Sequence, residues 1–393
     1  MRAGDVNDLL VSGETVLAAA NDGVHRTTDA GVSWSRTLDG STLLLARDGQ
    51  TTFAIQSRSI DGGIRRSTDD GVTWTDADGD LPYPKSVTSI AVGAAGVYVG
   101  LHDVRQSDEG SGLVWRAGGV RRTTNGGASW ESVSNGLPAH DTVPTPVLHL
   151  AAIDHALLAV TADGLYRSTN DGESWSGVTL SREETTTSAL GVHNGDFLVA
   201  ANRYVLRSST LGATWRRVAP SDTFRAPIER FYSLGDQLVA REVNASPTAS
   251  VYALDGDVWR TINHRLPEGV TLFSFASAGS RILLGTLGAG VWTGLIDGVS
   301  GIDNGGPPAG SETFIVPNPV VDRGLLSYRL KRAGDVRLII TNAAGIVIQT
   351  RELGEGVEGV NSVEVAVDGL EAGVYFYWIE SNNDVQIGRM VKE

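Results

Sequence analysis

The stretch "RSTDDGVTW", Arg66–Trp74, decides the fold because it returns. "RTTDAGVSW" ends at Trp34, "RTTNGGASW" at Trp130, "RSTNDGESW" at Trp175, and a worn copy, "RSSTLGATW", at Trp215. The closing tryptophans stand 40, 56, 45 and 40 residues apart. Two weaker echoes follow, "ALDGDVW" ending at Trp259 and "GAGVW" ending at Trp292. A period of about 40–45 residues filled with strands is the mark of a β-propeller of four-stranded blades.

The filling agrees. Ahead of Trp175, "PVLHLAAID", "ALLAVTAD" and "GLYRSTND" read as three strands, and "SWSGVTL" as the fourth. The two inner strands are near-continuous apolar runs, as expected of strands covered on both faces. The fourth is polar, as suits an exposed edge. Seven such units can be counted from Asp5, and the last lacks an obvious fourth strand. The expectation is an all-β chain with a seven-bladed propeller over residues 1–297.

Each repeat falls between the third and fourth strands, at a hairpin turn. In residues 67–74, the Asp69 carboxylate can accept from backbone N–H groups further along the turn. Gly71 supplies a positive φ at no Cβ cost. Trp74 then covers the sheet and its neighbour, burying about 200 Å². The pattern S/T-x-D/N-x-G-x-x-W resembles the Asp box, or BNR repeat. That resemblance covers about residues 1–295 and implies a structural role for Asp29, Gly31, Trp34, Asp69, Gly71, Trp74, Asn125, Gly127, Trp130, Asn170, Gly172, Trp175, Gly212 and Trp215. The copy at 208–215 has Thr210 in the acidic position, which predicts a looser turn.

Composition sets outer limits. The chain has 393 residues, 20% charged and 41% hydrophobic, as in a soluble globular protein. A net charge of −14 argues against nucleic acid and anionic membrane surfaces, which call for basic patches. No cysteine is present, so disulfides and Cys-ligated metals are excluded. No apolar run is long enough for a transmembrane helix. The N-terminus carries no signal-peptide core, so a leader for export is absent from this sequence.

Function is expected on the face opposite the boxes. The longest loops there are 56–63, 102–119 and 241–250, and 76–86, 134–146 and 219–227. They bring Arg58, Asp61, Tyr83, His102, Asp103, Arg105, Asp108, Glu109, Trp115, His140 and Asp141 to one face as candidate ligand-binding residues. Aromatic and acidic groups in a groove suit a glycan or a peptide. The His-Asp pairs at 102–103 and 140–141 match no metal-ligand spacing, so no cofactor or metal is expected. Asp-box propellers include sialidases, xyloglucan hydrolases, sortilin-type receptors and photosystem-assembly factors, so fold alone does not choose. Arginines are present, but only Arg2 and Arg26 precede the first box and the "RIP"-like motif of sialidases is missing, and no catalytic residue is assigned. Binding of an extracellular protein or glycan is the first expectation. A glycoside hydrolase acting on an extracellular polysaccharide is the alternative, and it requires two carboxylates about 5–10 Å apart.

The texture changes after Asp297. Residues 298–312 form a Gly/Pro-rich linker, and 313–393 carry six cleanly alternating strands, the pattern of a small immunoglobulin-like β-sandwich. "PNP" at 317–319, "SYRLKRAGDVRLIITNAAG" at 327–345 and "GLEAGVYFYWIE" at 369–380 resemble the C-terminal sorting domain of type IX secretion cargo. The segment departs from that pattern at Thr341–Asn342 and at its last residue, Glu393. The resemblance implies export across the outer membrane of a Bacteroidetes-like bacterium, engagement of the type IX machinery by residues 313–393, and release or anchoring at the surface.

Overall fold

The computed structural model describes residues 5–29, 31, 33–57, 63–82, 86–102, 105–108, 112–115, 118–140, 143–181, 187–202, 204–218, 224, 226–242, 251–255, 258–262, 272–278, 281–286, 290–295, 313–316, 320–342, 347–382 and 384–392. Every regular element among them is a β-strand.

The strands form successive antiparallel sheets. The first holds β1 (Val6–Ser12), β2 (Thr15–Ala20), β3 (Gly23–Thr27) and β4 (Ser35–Asp39). The second holds β5 (Thr42–Asp48), β6 (Thr51–Gln56), β7 (Ile64–Ser67) and β8 (Thr75–Asp76). In the third, β9 (Val87–Gly93) and β10 (Gly96–Leu101) are followed by a separate hairpin, β11 (Arg105–Asp108) and β12 (Gly112–Trp115). β13 (Gly119–Thr123) and β14 (Glu131–Ser132) then complete that sheet. A second small hairpin, β15 (Ala139–His140) and β16 (Val143–Pro144), leads to the fourth sheet, β17 (Val147–Ile153), β18 (Ala156–Thr161), β19 (Gly164–Ser168) and β20 (Ser176–Gly177). The fifth holds β21 (Thr187–His193), β22 (Asp196–Ala201), β23 (Tyr204–Ser208) and β24 (Arg216–Val218). The sixth holds β25 (Ile228–Leu234), β26 (Gln237–Glu242), β27 (Val251–Asp255) and β28 (Val258–Thr261). The seventh has three strands among the described residues: β29 (Leu272–Ala278), β30 (Arg281–Thr286) and β31 (Val291–Leu295).

Each first strand packs on the first strand of the next sheet, and β29 packs on β1. The sheets therefore ring a central axis. Second strands are the most apolar and the most buried; all six residues of β2 and of β18 are buried. Neighbouring sheets cover them on both faces. First strands mix buried and half-buried positions, because their inner edge borders the axis, and so are less continuously apolar than the repeat suggests. The core lies between sheets: Phe53, Ile55 and Ile64 of the second meet Val97, Val99 and Leu101 of the third. Across the closing junction, Val6 and Leu9 meet Leu283. Fourth strands are short, two residues in β8, β14 and β20, which blunts the outer edge against strand addition.

The two weak echoes are not boxes. Asp255 pairs with Val258 and Leu254 with Trp259, so Trp259 lies within β28. Trp292 lies in β31, a third strand, where it pairs with Leu284.

The C-terminal strands are β32 (Phe314–Val316), β33 (Arg323–Leu330), β34 (Gly334–Asn342), β35 (Val347–Gly356), β36 (Gly359–Ala366), β37 (Gly373–Ser381) and β38 (Asp384–Lys392). They make one sheet in the order β32-β33-β36 and another in the order β35-β34-β37-β38. Leu326 and Tyr328 of the first sheet share a core with Leu338, Ile340, Tyr377 and Met390 of the second. One side of this pair is closed by the Val320 amide donating to the Val391 carbonyl (2.7 Å). β32 is a strand the sequence pattern does not announce, since three residues carry too little alternation.

Candidate functional site

The box turns use their polar atoms internally. Ser67 Oγ accepts from the Gly71 amide (2.8 Å) and donates to Asp69 Oδ1 (2.7 Å). Asp69 also accepts from the Thr73 amide (2.9 Å) and hydroxyl (2.6 Å). These donors hold the Asp69 carboxyl at about 2, well below its ordinary range. Asp29 likewise accepts from the Ser33 amide and hydroxyl, whereas Asn125 and Asn170 accept from the Ser129 and Ser174 amides and donate through Nδ2 to those residues' hydroxyls. In the worn copy, Thr210 Oγ1 takes the carboxylate's place and accepts from the Thr214 amide at 2.9 Å. That turn keeps its amide bonds, because a hydroxyl reaches the same amide, while its Ser208–Thr210 contact is 3.3 Å against 2.7 Å for Ser67–Asp69.

The same turns join the sheets. Arg26 Nε donates to the Asp70 carbonyl (2.9 Å), Arg66 Nη1 to Gly126 (3.0 Å), Arg122 Nη1 to Asp171 (3.1 Å) and Arg167 Nε to Leu211 (2.5 Å). Each arginine is the first residue of one repeat, and each carbonyl sits in the box of the next sheet. The acceptor residues all have a positive φ, between 53° and 70°, which turns the carbonyl toward the preceding sheet. The sixth sheet has no box, and Arg207 instead pairs with Asp196 of its own sheet (2.5 Å). Tryptophans add to the joints: Trp130 Nε1 donates to the Ala77 carbonyl (2.9 Å) and Trp175 Nε1 to Val133 (2.7 Å), each on the preceding sheet.

The opposite face carries both extra hairpins. β11–β12 lies in a second-to-third-strand connection and β15–β16 in the link from one sheet to the next; both connection types end on the side away from the boxes. Of the candidate residues, Arg105, Asp108 and Trp115 fall on the first hairpin, where Arg105 is opposite Trp115 and Asp108 opposite Gly112. His140 falls on the second, opposite Val143. The bases of the two meet: the Gly119 amide donates to the Thr145 carbonyl (3.0 Å), and a Cβ on Gly118 would lie 2.0 Å from the Pro144 carbonyl oxygen. His102 is half-buried at the end of β10, its amide donating to the Ser86 carbonyl (2.8 Å). Arg58, Asp61, Tyr83, Asp103, Glu109 and Asp141 lie outside the described residues. So do the carboxylate separations on which the hydrolase alternative turns. Among the described residues, no group of three or more His, Asp or Glu side chains could hold a metal ion.

A polar tier that the repeat does not foretell lies nearer the axis. In every first strand one residue falls out of register with the second strand, a bulge at the same height; Asn7 is the first of these and Phe273 the last. The residue after the bulge is Asp8 in β1, His149 in β17 and Arg230 in β25. Leu44, Ser89, Ala189 and Ser274 fill the position elsewhere. Arg230 Nη2 donates to Asp8 Oδ1 (2.7 Å) and its Nη1 to the Asn7 carbonyl (3.4 Å), although a whole sheet separates β25 from β1. Asp8 Oδ2 accepts from the Leu45 amide (2.9 Å), which adds the second sheet to the tie. A third of the Arg230 side chain, 33%, remains accessible. The signal was a charge set within an apolar inner strand, "VLHLAAI" or "IERFYSL".

An all-β ring of four-stranded antiparallel sheets with Asp-box turns defines a β-propeller protein. Its C-terminal residues 315–393 match the family described as "Secretion system C-terminal sorting domain". That match marks the chain for export by the type IX system, to the cell surface or beyond it. No curated protein matches the chain. Among solved structures, YCF48 from Cyanidioschyzon merolae is similar with a TM-score of 0.55 at 15% identity, over 75% of this chain and 96% of that one. The extracellular domain of BT4673 from B. thetaiotaomicron is similar with a TM-score of 0.55 at 11% identity, over 99% of this chain and 57% of that one. An ancestral GH74 enzyme is similar with a TM-score of 0.54 at 13% identity, over 99% of this chain and 62% of that one. At such identities the likeness shows the fold. Among the described residues, no helix is long and apolar enough to cross a membrane.

Proposed function

We propose that this is a secreted or cell-surface protein whose propeller binds an extracellular protein or glycan on the face opposite the Asp boxes. Its domains are a seven-bladed propeller over residues 1–297, a linker over 298–312 and an immunoglobulin-like sandwich over 313–393 that engages the type IX machinery. The observation that carries this reading is the division of labour between the two faces. The box face commits its carboxylates, hydroxyls and arginines to turns and joints. The other face bears two hairpins that the four-stranded plan does not need, with Arg105, Trp115 and His140 on them. Aromatic and charged residue types together on one hairpin are what recognition of a glycan or a peptide uses.

The test is binding of the full chain to a glycan array and to an array of extracellular proteins, beside a variant in which Arg105–Trp115 is replaced by a short Gly/Ser turn. The reading expects a ligand retained by the intact chain and lost by the variant. Ligands bound equally by both, or no binder on either array, would contradict it.

A further inference from the structure

On the box face, arginine-to-carbonyl joints link the first five sheets in series. No joint of that kind continues among the described residues of the remaining junctions. There first-strand ties remain, of a kind that Asn7 and Thr88 also make to Thr42 and Val147 in the jointed part: Ser188 Oγ donates to the Ile228 carbonyl (2.7 Å), Tyr232 Oη to Phe273 (2.5 Å) and Ser274 Oγ to Val6 (3.3 Å). Longest in reach is Arg230, which passes over the seventh sheet to hold Asp8 and Asn7 of the first. A guanidinium and a carboxylate withdrawn from bulk water hold strongly only while they remain matched in number and geometry.

We propose that the Arg230–Asp8 pair is the lock that closes the ring, and that His149, at the same tier, is its proton sensor. A proton on His149 places a second cation near Arg230, whose bonded carboxylate is Asp8. Glu229 of β25 also acts on Arg230 through its charge, but it is shared with Arg241 of β26, which it pairs at 2.8 Å. Tyr232, on the same strand, is held protonated by burial, and Ser188 of β21 offers His149 a backbone contact only. Burial, and then Arg230, keep the His149 imidazole neutral below its ordinary range. The unfolded chain takes up this proton near pH 6.5, the folded chain only at lower pH. The ring is therefore least affected above about pH 6.5 and loses stability as pH falls below it.

Hydrogen exchange of the full chain tests this, corrected for intrinsic rates. Between about pH 7.5 and 5.5, β1 and β29 should open several-fold and up to about tenfold more readily, the most that one linked proton with an unfolded pKa near 6.5 can give over this range. β9 and β10 should not follow. His149→Asn should flatten the dependence, with His149→Gln as the second variant if Asn unfolds the chain. Asp8→Asn should open β1 and β29 at both pH values. His193, also held neutral by burial but bonded to Ser233 Oγ away from the tier, is the control, and His193→Asn should leave the difference between sheets intact. The proposal is overturned if His149→Asn and His149→Gln keep the native pH dependence, or if β9 and β10 accelerate as much as β1 and β29.

Discussion

Arg122 on β13 donates through Nη1 to the backbone carbonyl of Asp171, 3.1 Å away in the box turn of the next sheet. The same guanidinium pairs with Glu131 (2.7 Å) and Glu173 (2.8 Å). One side chain thus fastens its own outer strand and its neighbour's turn. Replacing it by Met removes charge-assisted bonds to a partly buried carbonyl, which should lower stability by about 1–3 kcal/mol in urea denaturation. Arg207→Met, which breaks only a pair within one sheet, should cost about 1 kcal/mol or less.

Gly71 has φ +79°, and a Cβ there would meet Leu17 Cδ2 of the preceding sheet at 2.6 Å. Gly71→Ala combines backbone strain with overpacking and should destabilise the protein by about 2–4 kcal/mol. Gly13 has φ +59° with nothing within 4 Å, so Gly13→Ala should cost only about 1 kcal/mol. Equal losses of melting temperature in the two variants would contradict the close approach of box and neighbouring sheet.

Asp69 titrates at about 2 because Thr73 and Ser67 donate to its ionised form. Its folded pKa lies below the unfolded value of 3.8, so its stabilisation is complete above about pH 4 and is lost as pH falls toward 2. NMR titration of the side-chain carboxyl should give a midpoint near 2 for Asp69. An ordinary midpoint near 4 would mean that the turn bonds are not made.

The Trp130 indole N–H is buried on the Ala77 carbonyl, whereas that of Trp215 is buried without a partner among the described residues. Trp130→Phe should therefore cost about 1–3 kcal/mol more than Trp215→Phe, because it leaves a buried carbonyl unsatisfied. Thermal denaturation of both variants measures the difference.

The repeat made the turns legible because each needs particular residues at fixed offsets: a hydroxyl, an acceptor, a glycine and a tryptophan. The arginine that opens each copy is equally visible, but spacing alone does not say whose carbonyl it meets. Only the positive-φ carbonyl of the next sheet supplies the answer. Arg230 and Asp8 lie 222 residues apart, and no local pattern could pair them. The segment 102–119 reads as a long polar loop, yet it contains a hairpin in which Arg105 faces Trp115. Its strands are four residues each, too short for alternation to declare them. The long C-terminal strands were legible for the opposite reason, with six of the seven, each eight or more residues long, marked by alternation in the sequence.

The central claim is that recognition belongs to the hairpin face and construction to the box face. Its most direct test compares three full-length proteins on the same glycan and extracellular-protein arrays: native, Trp115→Ala, and the double box variant Asn125→Ala/Asn170→Ala. The account predicts that the double variant is less stable yet keeps every ligand of the native chain below its melting temperature, while Trp115→Ala loses them. Ligands lost from the folded box variant and kept by Trp115→Ala would contradict it.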